Sequence, residues 1–135
     1  MRRNIKLFVS DLDGTLIEPT ETITPDFEVL NAIMKEKGVF AILASGRCLS
    51  ETQKFLDVLT SVNGVIINNG AGARLNGMSL WDKYFPAECV KETVLKADSL
   101  GMTILISNGD DIRGYKLTPY IQNEITRLSR FNRFY

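Results

Sequence analysis

Asp11 and Asp13 stand two residues apart, behind the apolar run Ile5 to Val9 and ahead of Gly14 and Thr15. In extended chain, residues two apart point the same way. If extension persists past Ser10, both carboxylates therefore face one side. Holding like charges together costs free energy, which a bound cation or one retained proton relieves. Such a pair suits attack on an electrophile, proton exchange with a leaving group, or ligation of a hard cation. The alternative is a solvated turn, though the apolar run before and Gly-Thr after weigh against it. An EF-hand loop does not fit, because Gly14 comes too early and no acid closes the loop.

Two further apolar runs end in polar turns. Val39 to Ala44 leads into Ser45-Gly46-Arg47, and Gly64 to Asn68 leads into Asn69-Gly70-Ala71-Gly72. In an open α/β sheet such strand ends converge where ligands bind. Together with the acids they suit a phosphate. Asp11 is placed to attack phosphorus, and Asp13 to protonate the leaving oxygen and later deprotonate water. A magnesium ion at Asp11 would cancel repulsion between carboxylate and phosphoryl oxygens. The Ser45 hydroxyl, with backbone groups of Gly46, Leu12 and Gly14 and the next helix N-terminus, is expected to hold phosphoryl oxygens. Arg47 and Asn69 are expected on the substrate side, with Arg47 read as a structural or surface contact rather than a catalytic group. A plain N-cap for Ser45, and left-handed turn positions for Asn68 and Asn69, remain open. A dinucleotide loop at Gly70-Ala-Gly72 is excluded, because Leu75 stands where the third glycine is needed.

The elements that must position these groups read as β-α-β-α-β. Buried strands are expected at Ile5–Val9, Val39–Ala44 and Gly64–Asn68. The first helix has Thr24 as N-cap, Pro25 at N1, an apolar face of Phe27, Leu30, Ile33 and Met34, and a stop at Gly38. The second opens near Ser50 with Ser50 and Gln53 at capping-box spacing, and presents Thr52, Phe55, Leu56 and Leu59. The continuous hydrophobicity of Val39–Ala44 predicts burial on both faces, as in a parallel sheet. Asn76-Gly77 then signals a type I′ hairpin. A helix from Glu88 to Leu100, a hairpin turning at Asn108 to Asp111, and a last helix from Thr118-Pro119 complete the chain. The fold class is α/β: part of a doubly wound parallel sheet with three strands, residues 1–82, followed by the start of an α+β module, residues 83–135.

Composition narrows the field. The chain has 135 residues, long enough for one core and too short for two full domains. Sixteen basic and sixteen acidic residues cancel, which points to no nucleic acid and no membrane surface as partner. No apolar run is long enough to span a bilayer. There is no histidine, so Ser-His and Cys-His nucleophiles and histidine metal sites are excluded. Cys48 and Cys89 fall in no metal or redox spacing, which predicts reduced thiols and a cytoplasmic location.

Asp11-Leu-Asp-Gly-Thr15 resembles the first motif, D-x-D-G-T, of the haloacid-dehalogenase-like (HAD) phosphatases. Ser45-Gly46-Arg47 resembles the second motif of their Cof-type members. Thr24-Pro25, the Asn68-to-Ala71 turn and the order core, hairpin, α+β cap are similar to that subgroup over essentially the whole chain. The resemblance implies a Mg2+-dependent phosphomonoesterase acting on small phosphorylated metabolites through an aspartyl-phosphate. Asp11 would be the nucleophile and Asp13 the general acid/base. Mg2+ would bind the Asp11 carboxylate and the Asp13 carbonyl, and Ser45 would hold the phosphoryl group. Residues 1–82 correspond to part of the core, and residues 83–135 to part of the cap.

The family's third motif, a lysine, and its fourth, an acidic cluster, have no counterpart here. Gly109-Asp110-Asp111 reads as a plain turn, because Gly114 stands where the later acid belongs. The chain thus resembles the N-terminal half of a protein of roughly 250–280 residues. A catalytically silent truncation product or phosphate-binding module is the second functional expectation. Without neighbouring strands, the first strand is expected to be an edge that is apolar on both faces. Self-association through that strand or through the incomplete cap follows as an expectation.

Overall fold

The computed structural model describes residues 4–18 and 22–116, with Pro119 and Asn123 beyond them. The chain builds a five-stranded sheet in the order β1 (Leu7–Asp11), β2 (Phe40–Ala44), β3 (Val62–Ile67), β4 (Gly72–Leu75), β5 (Met78–Asp82). The first three strands are parallel, and β4 and β5 are added antiparallel. Helices α1 (Pro25–Lys37) and α2 (Leu49–Val58) make the two crossovers. Helix α3 (Ala87–Ser99) and a separate antiparallel pair, β6 (Ile104–Ser107) and β7 (Ile112–Tyr115), follow. The expected α/β architecture is observed, and the Asn76-Gly77 hairpin extends the same sheet. Both of its turn residues have positive φ, 48° and 79°, as a type I′ turn requires. The helix expected from Thr118 lies outside the described residues, except that Pro119 and Asn123 are helical.

The core lies on one face of the sheet. Ala41, Leu43, Val65 and Ile67 are buried and cluster with Phe27 and Met34 of α1 and Phe55 of α2. Phe8 stacks on Phe27 with ring centroids 6.0 Å apart. On the other face, Leu7 pairs with Phe40 and Val9 with Ile42, and Leu7, Val9 and Phe40 remain 56%, 53% and 39% exposed. This corrects the expectation that Val39–Ala44 is buried on both faces. Its burial alternates, because both crossover helices pack on the same side. Among the described strands β1 stands at the sheet edge, as expected, but it is apolar-exposed on one face only, since Phe8 packs on α1.

Boundaries moved where local chemistry decided. β1 runs on through Asp11, so the first carboxylate ends the strand itself. Thr24 precedes α1 and Gly38 ends it at φ 61°, but Ile33 is exposed and not part of the inner face. Helix α2 begins one residue before Ser50, at Leu49. Its cap is Cys48, whose N–H donates to the Glu51 carboxylate at 2.9 Å. Gln53 bonds Asp57 instead. A carboxylate is the stronger acceptor and complements the helix dipole.

Candidate functional site

Asp11, Leu12 and Asp13 keep the alternation of extended chain. Leu12 is fully buried, while both acids face solvent. The chain then turns at Gly14, where φ is +73°. The N–H groups of Leu16 and Ile17 both donate to the Leu12 carbonyl at 3.0 Å. Gly14 N–H donates to the Ile17 carbonyl at 3.0 Å, so the turn itself engages it. Thr15 N–H bonds the Leu12 carbonyl, which gives Thr15 a place in the turn.

The strand register brings the second polar turn beside the first. Asp11 lies opposite Ala44, so Ser45 starts its loop next to the acids. Ser45 is 7% exposed, and its N–H donates to the Ile66 carbonyl at 2.9 Å. Its hydroxyl donates to Asp13 Oδ2 at 3.4 Å and accepts Arg47 N–H at 3.2 Å. Arg47 grips the Asp13 carboxylate with two nitrogens. Nε lies 3.1 and 3.0 Å from Oδ1 and Oδ2, and Nη2 lies 2.6 Å from Oδ1. Its guanidinium also lies over the Phe55 ring, 5.4 Å from the centroid. This charge-assisted fork-on-carboxylate geometry is directional and fixes the orientation of Asp13. Residue spacing gave no sign of it, because the partners are 34 positions apart.

The third turn backs the second. Asn68, Asn69 and Gly70 all have positive φ, 50°, 54° and 92°, a run that Asn and Gly tolerate best. Asn68 N–H donates to the Arg47 carbonyl at 2.9 Å, and Asn69 N–H to the Ser45 carbonyl at 3.2 Å. A Cβ on Gly46 would lie 3.0 Å from Asn69 Oδ1, which explains the glycine by close approach. The expectation that the N-terminus of α2 holds phosphoryl oxygens is corrected: its first N–H groups are engaged by carbonyls, Leu49 N–H by that of Gly109 at 3.2 Å and Ser50 N–H by that of Asp110 at 2.9 Å.

Beside these turns, Arg74 is almost buried between two acids. It lies 2.9 Å from Asp82 Oδ1 and 2.8 Å from Asp110 Oδ1. Asp110, then Asp82, raises the Arg74 pKa, against the effect of its burial. The Ser79 hydroxyl and Arg74 hold the Asp82 carboxyl below the usual range. Burial pushes the Cys48 thiol up. A cavity of about 680 Å3 opens between α3, β6 and the segment Asp82–Phe85, reaching Asn68 and Gly109 but neither Asp11 nor Asp13.

The family model of the haloacid dehalogenase-like hydrolases matches residues 8–134. The chain belongs to that family. The HAD chain is 36% identical over 95 residues to a putative phosphatase of Haemophilus influenzae, covering 68% of this chain and 35% of that protein. A hypothetical protein of Geobacillus kaustophilus superposes with a TM-score of 0.82 at 20% identity, over 93% of this chain and 49% of the other. A sugar phosphatase of HAD subclass IIB superposes with a TM-score of 0.80 at 20% identity, over 96% and 51%. These two likenesses establish the fold. The chain therefore spans about a third of that curated relative and about half of the solved ones.

Proposed function

We propose that this HAD chain carries the nucleophile and phosphate loop of a Cof-type, Mg2+-dependent phosphomonoesterase acting on small phosphorylated metabolites. The observation that carries the reading is the meeting of the first two motifs: Asp11 ends β1 with Asp13 just beyond it, and Ser45 and Arg47 of the next strand's loop reach Asp13. An Asp11 carboxylate oxygen attacks phosphorus in line, forming an acyl–phosphate bond as the ester P–O bond breaks. Asp13 gives its proton to the departing oxygen. Asp13 then takes a proton from water, which attacks the same phosphorus, releases phosphate and restores Asp11. Ser45, Gly46 and the Leu12–Gly14 turn form the phosphate cradle, Gly14 contributing its N–H only once its bond to the Ile17 carbonyl opens, with Arg47 and Asn69 on the substrate side. The acid half of the cycle requires the Arg47–Asp13 pair to part, and an arriving phosphoryl group is itself an anionic competitor for the guanidinium.

The donor set fits Mg2+ in kind. Asp11 and Asp13 bring hard oxygen donors, and Mg2+ keeps several waters and binds through one or two carboxylates plus phosphate. The Asp11 carboxylate and the Asp13 carbonyl would hold it. When bound it neutralises repulsion between carboxylate and phosphoryl oxygens.

Residues 1–82 serve in this reading as part of the catalytic core and residues 83–135 as part of the cap. A cytoplasmic location is consistent with the free cysteines Cys48 and Cys89. No helix among the described residues is long and apolar enough to cross a membrane. The exposed face and edge of β1 serve as a self-association surface.

A second reading, a silent phosphate-binding module, is favoured by one observation. In the structure the Asp13 carboxylate is tied up by the two-nitrogen Arg47 fork rather than open to proton exchange. The deciding assay is Mg2+-dependent hydrolysis of an aryl phosphate, with Asp11→Asn as control. Hydrolysis lost in the variant supports the enzyme; no hydrolysis above background by the parent chain supports the module.

A further inference from the structure

The turn between β6 and β7 is fastened to the carboxyl end of the sheet by named side chains. Asn68 Nδ2 donates to the Gly109 carbonyl at 3.0 Å, and Asn68 Oδ1 accepts the Ser107 hydroxyl at 2.9 Å. Arg74 reaches across to Asp110 at 2.8 Å. Gly109 is buried at φ +97°, and a Cβ there would lie 3.3 Å from Asp82 Oδ1 and 3.4 Å from the Tyr84 hydroxyl. The turn is thus seated in a fitted notch. The backbone of Asn68 holds a different partner, since its N–H donates to the Arg47 carbonyl at 2.9 Å. Its neighbour Asn69 bonds the Ser45 carbonyl and packs against Gly46.

We propose that Asn68 is a positioning residue that couples seating of the β6–β7 turn to the geometry of the Ser45-Gly46-Arg47 loop. Its side-chain amide bonds the turn through both its nitrogen and its oxygen, while its backbone fixes the loop. If the turn lifts, the half-buried amide loses both partners, and an unpaired polar group of that kind is costly. The left-handed Asn68–Gly70 segment then relaxes, and the bonds to the Arg47 and Ser45 carbonyls weaken with it. A second route runs in parallel, because the turn's carbonyls also hold Leu49 and Ser50 at the start of α2. Coupling of this kind is reciprocal: an anion that orders the loop also tightens the turn. The ligand side of the inference rests on the phosphate-binding reading above; the mechanical side does not.

The test uses Ser107→Ala and Asp110→Asn, which each remove one tie of the turn to the sheet without altering residues 45–50, and Asn68→Gly, which keeps positive φ and the backbone N–H but removes the amide. Amide hydrogen exchange is followed over residues 45–50 and 107–111, with and without inorganic phosphate and Mg2+. All three variants are expected to speed exchange at 45–50 by about 5-fold or more, and to weaken phosphate by a similar factor. In the parent chain, saturating phosphate is expected to slow exchange at 107–111, a response that a merely structural role would not produce. If Ser107→Ala and Asp110→Asn loosen 107–111 and leave 45–50 unchanged, the coupling is refuted, whether or not Asn68→Gly folds. If the parent binds no phosphate, the phosphate reading fails, and the exchange rates at 45–50 still decide the coupling.

Discussion

Asp13 is the residue whose surroundings say most. The Arg47 fork, stacked on Phe55, holds it in one orientation. In the phosphatase reading the guanidinium passes from Asp13 to the arriving phosphoryl group, so Arg47→Ala is expected to raise KM more than it lowers kcat, and Arg47→Lys to restore binding only partly, because an ammonium cannot grip two oxygens. Steady-state kinetics on an aryl phosphate separates the two parameters. If the phosphatase reading holds, Ser45→Ala removes the hydroxyl assigned to the phosphoryl group, and a loss of about 10²–10³ in rate is expected for one such donor. The two cysteines give a check that is independent of activity. Cys48 is buried with its thiol pKa pushed up, whereas Cys89 is exposed. A thiol reagent should modify Cys89 first and Cys48 only on unfolding, as mass spectrometry would show.

At the scale of elements, the tightest junction is between β3 and β4. A Cβ at Gly64 would lie 2.5 Å from the Arg74 carbonyl oxygen, which is backbone and cannot swing away. Gly64→Ala is expected to cost about 1–3 kcal/mol by forcing the strands apart, readable as a lowered denaturation midpoint. The Arg74 cluster joins β4, β5 and the β6–β7 turn, and it gives the fold an acid-sensitive tie. Because the Asp82 pKa is lower in the folded state than in the unfolded one, its contribution is present above the unfolded value and is lost as pH falls through the folded value. Stability should therefore decline below about pH 4. Asp82→Asn should flatten that decline in acid-unfolding curves; an unchanged slope would show that other carboxylates dominate.

For the whole fold, the decisive feature among the described residues is that helices cover only one face of the three parallel strands. Parallel sheets are almost always covered on both. Leu7, Val9 and Phe40 instead present an apolar strip beside the edge of β1. Apolar area gains about 25 cal/mol per Å2 on burial, and the self-association reading rests on burying this strip. Sedimentation should show concentration-dependent growth for the parent chain and less of it for Val9→Lys. A parent that stays monomeric at high concentration would overturn the self-association reading.

Local chemistry determined a good deal of this protein. The Asp11-Leu-Asp-Gly-Thr turn, the Pro25 start and Gly38 stop of α1, and the Asn76-Gly77 hairpin depend on backbone preferences of single residues or on period-two alternation, and a sequence displays both. Choices between nearby candidates were not legible: Cys48 with Glu51 caps α2 where Ser50 with Gln53 had equal spacing. Phe40 belonged to an apolar run that reads as buried, but its exposure depends on which side the helices pack. The Arg47–Asp13 fork, the Arg74 bridge to Asp110 and the double role of Asn68 join positions 34, 36 and 41 apart. Only the tertiary structure decided these contacts, because they exist only once parallel register has set separate strand ends side by side.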